Sequence, residues 1–233
     1  ALSNGLYWNG AATLRGTLVN PALMILAGSD TKTIRYGSSV HNYGTIRHTG
    51  SGALHIHGNP SAAYVYNWSN AVYDIQSDGT NLTSDYGQFD NYGTLCKSAG
   101  GGTSRVSSVF NNYGGTLTVR TGTLMLASTG TRSNGVFEVA EGATLDLTGG
   151  SGPTYCGLFT DTGSGIVRFQ SGTLYGGSPE LSFALTNGLY WNGAGLLRGT
   201  LNNMELMVLS GADTKEVFRC ALNNYGTIRH TGS

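Results

Sequence analysis

The sequence predicts an all-β protein, a right-handed parallel β-helix (β-solenoid) with about 21 residues per coil. Three observations support this fold class: a long internal repeat, short alternating strands at a regular spacing, and a composition rich in turn-forming and β-forming residues. The fold class matters for function because it decides which side chains can meet.

The longest repeat connects the two ends of the chain. The segment 4–10 recurs as 187–193, and the segment 43–51 recurs as 225–233, with a single deletion between the two matches. Self-similarity over a fixed period is typical of repeat architectures. We therefore expect residues 1–183 to form one long solenoid unit and residues 184–233 to begin a second copy, continuous with the first, as part of a tandem array.

A shorter period lies inside the long unit. Apolar residues alternate with polar or smaller ones in short segments, which indicates half-buried strands. The strands recur about every 21 residues, as from Leu117 to Phe137, from Leu124 to Leu145 and from Leu145 to Val167. A coil of this length is too short for a βαβ unit but holds two or three strands. Nearly nine coils are then expected in each long unit.

The tripeptide Asn-Tyr-Gly begins at Asn42, Asn91, Asn112 and Asn224. We expect these sites at one corner of the coil, where stacked Asn side chains bond to each other and to the backbone. Glycine-rich pairs such as those at 134–135, 149–152 and 176–177 are expected at corners that need tight turns.

Composition narrows the function classes. The 37 glycines and 4 prolines argue against collagen and against a proline-rich linker. Only 11% of residues are charged, with 13 Lys and Arg against 13 Asp and Glu, so we expect no nucleic-acid partner. No apolar run reaches about 18 residues, so we expect no membrane insertion. Cys96, Cys156 and Cys220 form no CxxC pair, and we expect buried thiols and no cofactor.

Four carboxylates, Asp74, Asp78, Asp85 and Asp90, lie close together in the sequence. On a solenoid, carboxylates on neighbouring coils bind calcium or act as the acid and base of polysaccharide cleavage. Their spacings fit no coil period, however, so the sequence favours solvated loop carboxylates and no catalytic residues.

Two histidines flank an inward-facing isoleucine. His55 and His57 both point outward around Ile56, and such a pair is a weak candidate for metal chelation. The other interpretation is an exposed strand with two solvated imidazoles, and the sequence favours it.

Tyrosines are the best candidates for binding. Alternation in Leu6-Tyr7-Trp8 places Tyr7 outside, and Tyr190 repeats the position in the second copy. The Asn-Tyr-Gly tyrosines are expected to form an external ladder; they are Tyr43, Tyr92, Tyr113 and Tyr225. Exposed tyrosine rows suit sugar stacking or protein contact. The alternative is that these rings pack on one another and cover the corner.

Three segments, 110–119, 121–126 and 135–147, resemble repeats of very long bacterial secreted and surface proteins, namely autotransporter passengers and filamentous-haemagglutinin-like adhesins. The resemblance implies secretion and a cell-surface or fibre location. It brings no catalytic motif and no ligand.

The sequence thus predicts a structural or adhesive segment of a repetitive extracellular protein, without catalysis. Its partners are neighbouring repeats and, in a second hypothesis, polysaccharide or cell-surface glycans bound by the tyrosines. A third hypothesis, a polysaccharide-degrading enzyme on the same scaffold, is less favoured. Fold alone does not separate the three.

Overall fold

The computed structural model describes residues 5–232, and at Cys220 it describes the backbone alone. Residues 1–4 and 233, which the sequence assigns to repeat copies, lie outside the described residues, as does the side chain of Cys220. The described chain is a β-solenoid of about ten turns with about 22 residues per turn and no helix. The predicted fold class is therefore confirmed. Within this range there is accordingly no helix that could cross a membrane.

Each turn contributes strands to three faces. Face 1 is an eleven-stranded sheet. Its strands are β2 (Ala12–Leu14), β5 (Lys32–Arg35), β8 (Leu54–His57), β11 (Gly79–Asp85), β14 (Thr103–Val106), β17 (Thr123–Leu126), β19 (Thr144–Asp146), β21 (Ile166–Phe169), β23 (Leu189–Trp191), β25 (Leu206–Leu209) and β27 (Thr227–His230).

Faces 2 and 3 belong to one sixteen-stranded sheet. Face 2 begins with β3 (Thr17–Asn20), β6 (Ser39–Asn42), β9 (Tyr64–Asn67), β12 (Gln88–Asn91) and β15 (Val109–Tyr113). Face 3 begins with β1 (Leu6–Trp8), β4 (Leu23–Leu26), β7 (Thr45–His48), β10 (Val72–Ile75), β13 (Thr94–Lys97) and β16 (Thr116–Val119). Five longer strands then run across both faces; they are β18 (Thr131–Val139), β20 (Thr154–Thr162), β22 (Thr173–Ala184), β24 (Leu196–Asn203) and β26 (Glu216–Asn224).

The strands of successive turns pair in parallel, so a residue lies directly above its counterpart one turn earlier. Val40, Val65, Phe89 and Phe110 form one such inward column on face 2, and all are buried. Each buried side chain of this size stabilises the fold by about 1.5–3 kcal/mol. Columns of this kind fill the interior, while the alternate positions face outward.

The second copy of the repeat enters the coil one face later than the first. Strand β1 pairs with β4 on face 3, whereas its sequence counterpart β23 pairs with β21 and β25 on face 1. Eight full turns and one face separate β1 from β23. The expected value of nearly nine coils per unit was therefore too high, because a turn holds about 22 residues. Sequence counterparts in successive units lie about a third of a turn apart around the axis.

Candidate functional site

A ladder of buried asparagines marks the corner between faces 2 and 3. It consists of Asn20, Asn42, Asn67, Asn91 and Asn112. Each of the first four donates its side-chain Nδ2 to Oδ1 of the next, over 2.7–2.8 Å. The amide nitrogens also reach backbone carbonyls, such as Nδ2 of Asn42 to the oxygen of Val72 at 3.0 Å. The predicted stacking is confirmed for Asn42, Asn91 and Asn112. Asn224, which was expected at the same corner, bonds to Asn203 elsewhere.

The residue after each ladder asparagine points outward, and from Tyr43 onward these residues are aromatic. Tyr43, Trp68, Tyr92 and Tyr113 stack in that order, with ring centroids 5.9, 5.1 and 5.0 Å apart. Offset stacking at these distances is favourable, and each ring covers part of its neighbour. Trp68 and Tyr92 are half-buried, whereas the end rings Tyr43 and Tyr113 are 53% and 38% exposed. We call these four residues the aromatic ladder.

The tripeptide Asn-Tyr-Gly does not predict Trp68, because residues 67–69 read Asn-Trp-Ser. The usable signal was Asn67, which lies in register between Asn42 and Asn91. An Asn followed by any aromatic residue, repeated at about one coil length, would have identified the whole ladder.

The aromatic ladder continues onto face 2 along strand β9. Tyr64 stacks on Tyr66 at 5.4 Å, and Tyr66 stacks on Trp68 at 5.4 Å. The indole Nε1 of Trp68 donates to Nδ1 of His41 at 3.3 Å, and Nε2 of His41 lies 3.0 Å from Oγ of Ser39. The aromatic rings of β9 are thus held by contacts both along the strand and between turns.

A buried carboxylate lies in the next turn. Asp90 pairs in register with Tyr66 and accepts a hydrogen bond from Nδ2 of Asn111 at 2.7 Å. Burial raises the pKa of Asp90 above its ordinary value, and the bonds from Asn111 and Gln88 act against that. Burial also raises the pKa of Tyr66, Tyr92 and Tyr113, so their hydroxyls remain protonated hydrogen-bond donors at neutral pH.

Three of the six tyrosines that were predicted as binding residues lie outside the aromatic ladder. Tyr225 follows Asn224, which bonds to Asn203 at the corner between faces 3 and 1. The expectation that Tyr225 shares the corner of Tyr43 is therefore wrong, and its cause is the shift of one face between copies. Tyr7 and Tyr190 do point outward, but on face 3 and face 1 respectively.

The outward histidines on face 1 meet a carboxylate that the sequence did not connect with them. Oδ2 of Asp85 on β11 lies 3.4 Å from Nε2 of His55 and 3.6 Å from Nδ1 of His57. The three ligand atoms lie within 4.8 Å of one another. Nδ1 of His55 forms a hydrogen bond with Oγ1 of Thr83 at 2.9 Å. Burial lowers the pKa of His55, while the carboxylate of Asp85 acts in the opposite direction.

The four clustered carboxylates separate in the fold. Asp78 pairs with Nζ of buried Lys97 at 2.7 Å, Asp85 faces the histidines, and Asp90 is buried on face 2. Asp74 lies on face 3 and bonds to Gln76. Asp78 is exposed in the loop before β11, as expected, although Lys97 pairs with it. The interpretation as solvated loop carboxylates is wrong for Asp90, which lies buried on β12 where parallel stacking brings Asn111 of the next turn to it.

Two cysteines, Cys96 and Cys156, are free and buried. Burial raises the pKa of the Cys96 thiol to about 12, with the Asp74 carboxylate acting in the same direction. Burial also raises the pKa of Cys156. A raised pKa keeps both thiols protonated at neutral pH, and the thiolate is the form that reacts as a nucleophile.

In comparisons with protein-family models, with curated proteins and with solved structures, nothing matched this chain.

Proposed function

We propose that this chain is a structural segment of a long repetitive extracellular or cell-surface protein, in which tandem copies of the long unit build one continuous rod. The observation that carries the proposal is the junction between copies. Strands β23, β25 and β27 of the second copy stack on face 1 with the same parallel main-chain pairing that joins turns inside the first copy. A rod built this way has no special interface between units, as in other solenoids.

The shift of one face gives such a rod a defined geometry. Successive units present the same outward residue about a third of a turn apart, so the first and the fourth unit present it on the same side. At roughly 4.8 Å per turn, a unit of eight turns and one face adds about 40 Å of length. Secretion and a surface location are proposed from the resemblance of segments 110–119, 121–126 and 135–147 to repeats of bacterial secreted proteins.

The side chains support a mechanical role. The buried asparagine ladder and the aromatic ladder both run along the axis and connect one turn to the next. Each of the carboxylates Asp78, Asp85 and Asp90 already faces a different partner, which supports a role without catalysis.

Electron microscopy of proteins with one, two and three tandem units tests the proposal. We expect rods of uniform width whose length rises by about 40 Å per unit. Beads separated by flexible joints, or lengths that do not increase in proportion to unit number, would contradict it.

Carbohydrate binding is a second candidate function, favoured by the exposed end rings of the aromatic ladder. Tyr43 and Tyr113 offer exposed aromatic surface at the corner between faces 2 and 3, and such rings suit sugars. Titration of the protein with plant, algal and bacterial polysaccharides, followed by Trp and Tyr fluorescence, tests this function. Newly released reducing or unsaturated ends are assayed in the same samples, and their appearance would overturn the non-catalytic role.

A matched set of variants locates any binding. Tyr43→Ala and Tyr113→Ala should each weaken binding at least several-fold. Tyr86→Ala is the control, since Tyr86 is 80% exposed and lies just after β11, at the end of a face 1 strand. Equal binding by all three variants would exclude the aromatic ladder as the site.

A further inference from the structure

We propose that His55, His57 and Asp85 form a binding site for a divalent transition-metal ion of the Zn²⁺ type on face 1. Two imidazole nitrogens and one carboxylate oxygen are a ligand set that suits zinc. The site is independent of the aromatic ladder, which lies on another face.

The two distances from the carboxylate of Asp85 to the imidazoles fit a shared metal better than direct hydrogen bonds. Zinc bonds to nitrogen and oxygen measure about 2.0–2.2 Å, so two ligand atoms of a tetrahedral site lie roughly 3.3–3.6 Å apart. Oδ2 of Asp85 lies 3.4 Å from Nε2 of His55 and 3.6 Å from Nδ1 of His57. Direct hydrogen bonds between nitrogen and oxygen are shorter, at about 2.7–3.2 Å.

Strand register places the three side chains together. His55 and His57 lie two residues apart on β8, and both face outward because Ile56 between them is buried. On the next turn, Thr83 pairs with His55 and Asp85 pairs with His57. Parallel pairing thus holds the carboxylate directly above one imidazole and beside the other.

A supporting hydrogen bond orients the first ligand. When Nδ1–H of His55 donates to Oγ1 of Thr83, at 2.9 Å, the lone pair of Nε2 points toward Asp85. Bonds of this kind from the second ring nitrogen are a regular feature of metal-binding histidines. Without a cation or a proton, that lone pair would face the negative carboxylate, which is unfavourable.

The charged side chains near the site have opposite effects on cation binding. The Asp85 carboxylate favours a cation, and its side chain is 62% exposed, so an ion can enter from solvent. Arg35 is the register neighbour of His57 one turn earlier and opposes a cation. Its guanidinium lies over the ring of Tyr36, 6.0 Å from the centroid. With three protein ligands, the fourth position remains available to water or to a group from another molecule.

The experiment uses the whole chain freed of metals by chelation. Zn²⁺ is titrated calorimetrically, and Co²⁺ is titrated by its visible absorption, which is intense in tetrahedral sites. We expect one ion per chain, and His57→Asn and Asp85→Asn should each weaken affinity by about tenfold or more. His41→Asn is the control, since His41 also faces outward but lies on face 2; its affinity should stay within about twofold of the parent.

Circular dichroism establishes that each variant keeps its strand content, which we expect because the substituted side chains face outward. The proposal is overturned if the parent protein takes up no ion. It is equally overturned if His57→Asn and Asp85→Asn bind as tightly as the parent, since the ion then lies elsewhere, for instance on thiols.

Discussion

Asn67 donates a hydrogen bond from its side-chain Nδ2 to Oδ1 of Asn91 over 2.7 Å, and both side chains are fully buried. The two residues occupy the same position in successive turns. This relationship, repeated along the corner, converts a row of buried polar groups into a continuous hydrogen-bonded column. A buried amide is costly only when it lacks partners.

Asn91→Ala should destabilise the solenoid by about 2–4 kcal/mol, because one N–H of the Asn67 amide and Oδ1 of Asn112 lose the partner that Asn91 supplies. Urea denaturation measures the free energy of unfolding. Asn223→Ala is the comparison, since that partly exposed amide bonds only to Asn202 at 2.9 Å among the described contacts. A cost at position 91 no larger than at 223 would mean that the column adds nothing to stability.

The glycine of Asn-Tyr-Gly is required for close packing between turns. A Cβ on Gly93 would overlap the carbonyl oxygens of Ala71 and Trp68, although its φ is not positive. The overlap should lower the free energy of unfolding by about 2–4 kcal/mol. We therefore expect Gly93→Ala to lower the thermal midpoint strongly. Gly101→Ala is the control, because a Cβ there meets nothing within 4 Å. Similar midpoints for the two variants would show that the turns can move apart freely.

Trp68→Ala should cost more than Tyr113→Ala. Trp68 stacks against Tyr43, Tyr66 and Tyr92, whereas Tyr113 ends the aromatic ladder. We expect about 2–3 kcal/mol for the first substitution and about 1 kcal/mol for the second, from urea denaturation. The near-ultraviolet circular dichroism should also fall most for Trp68→Ala. The reverse order of stability would argue that the rings are mainly a ligand surface.

Protonation of Asp78 should lower the stability of the folded state in acid. The bond from buried Lys97 holds the pKa of Asp78 below its ordinary value of 3.8. A carboxyl with a lowered pKa in the folded state contributes stability that is present above the unfolded value and is lost as the pH falls through the folded value. The contribution should therefore disappear progressively below about pH 4.

Asp78→Asn isolates this effect. At neutral pH the variant should lose about 1 kcal/mol, because Lys97 loses its carboxylate partner but keeps Ala99 and Ser104, and solvent screens the 43% exposed Asp78. The difference between parent and variant, measured by urea denaturation at several pH values, should shrink toward zero as the pH falls below 3.8. A difference that is constant with pH would contradict the ionic origin.

Cys96 and Cys156 should react slowly with thiol reagents in the folded protein. Burial raises the pKa of Cys96 to about 12 and also raises that of Cys156, so little thiolate exists at pH 8. Pulse alkylation followed by peptide mass spectrometry reports each site separately. We expect modification at least tenfold slower than in urea-unfolded protein. Equal rates in both states would show that these strands open readily.

The sequence by itself determined the fold class, the strands and their approximate period. Alternation such as Leu117 and Val119 reports which side of a strand faces the core, and self-similarity reports how far along the chain the next turn lies. The stacking of Asn42, Asn91 and Asn112 at one corner followed from the same local patterns, since a buried amide needs hydrogen-bond partners and an amide in a neighbouring turn supplies both a donor and an acceptor. Asn67 completes that column between Asn42 and Asn91.

Only the tertiary structure decided which side chains from different turns meet. The turns vary in length, and a shift of one or two residues in a loop changes which side chain lies above which. The sequence could not therefore join Asp85 to His55 and His57, nor Lys97 to Asp78. The same physical reason places Tyr225 on another corner from Tyr43, because the long unit spans eight turns and one face rather than a whole number of turns.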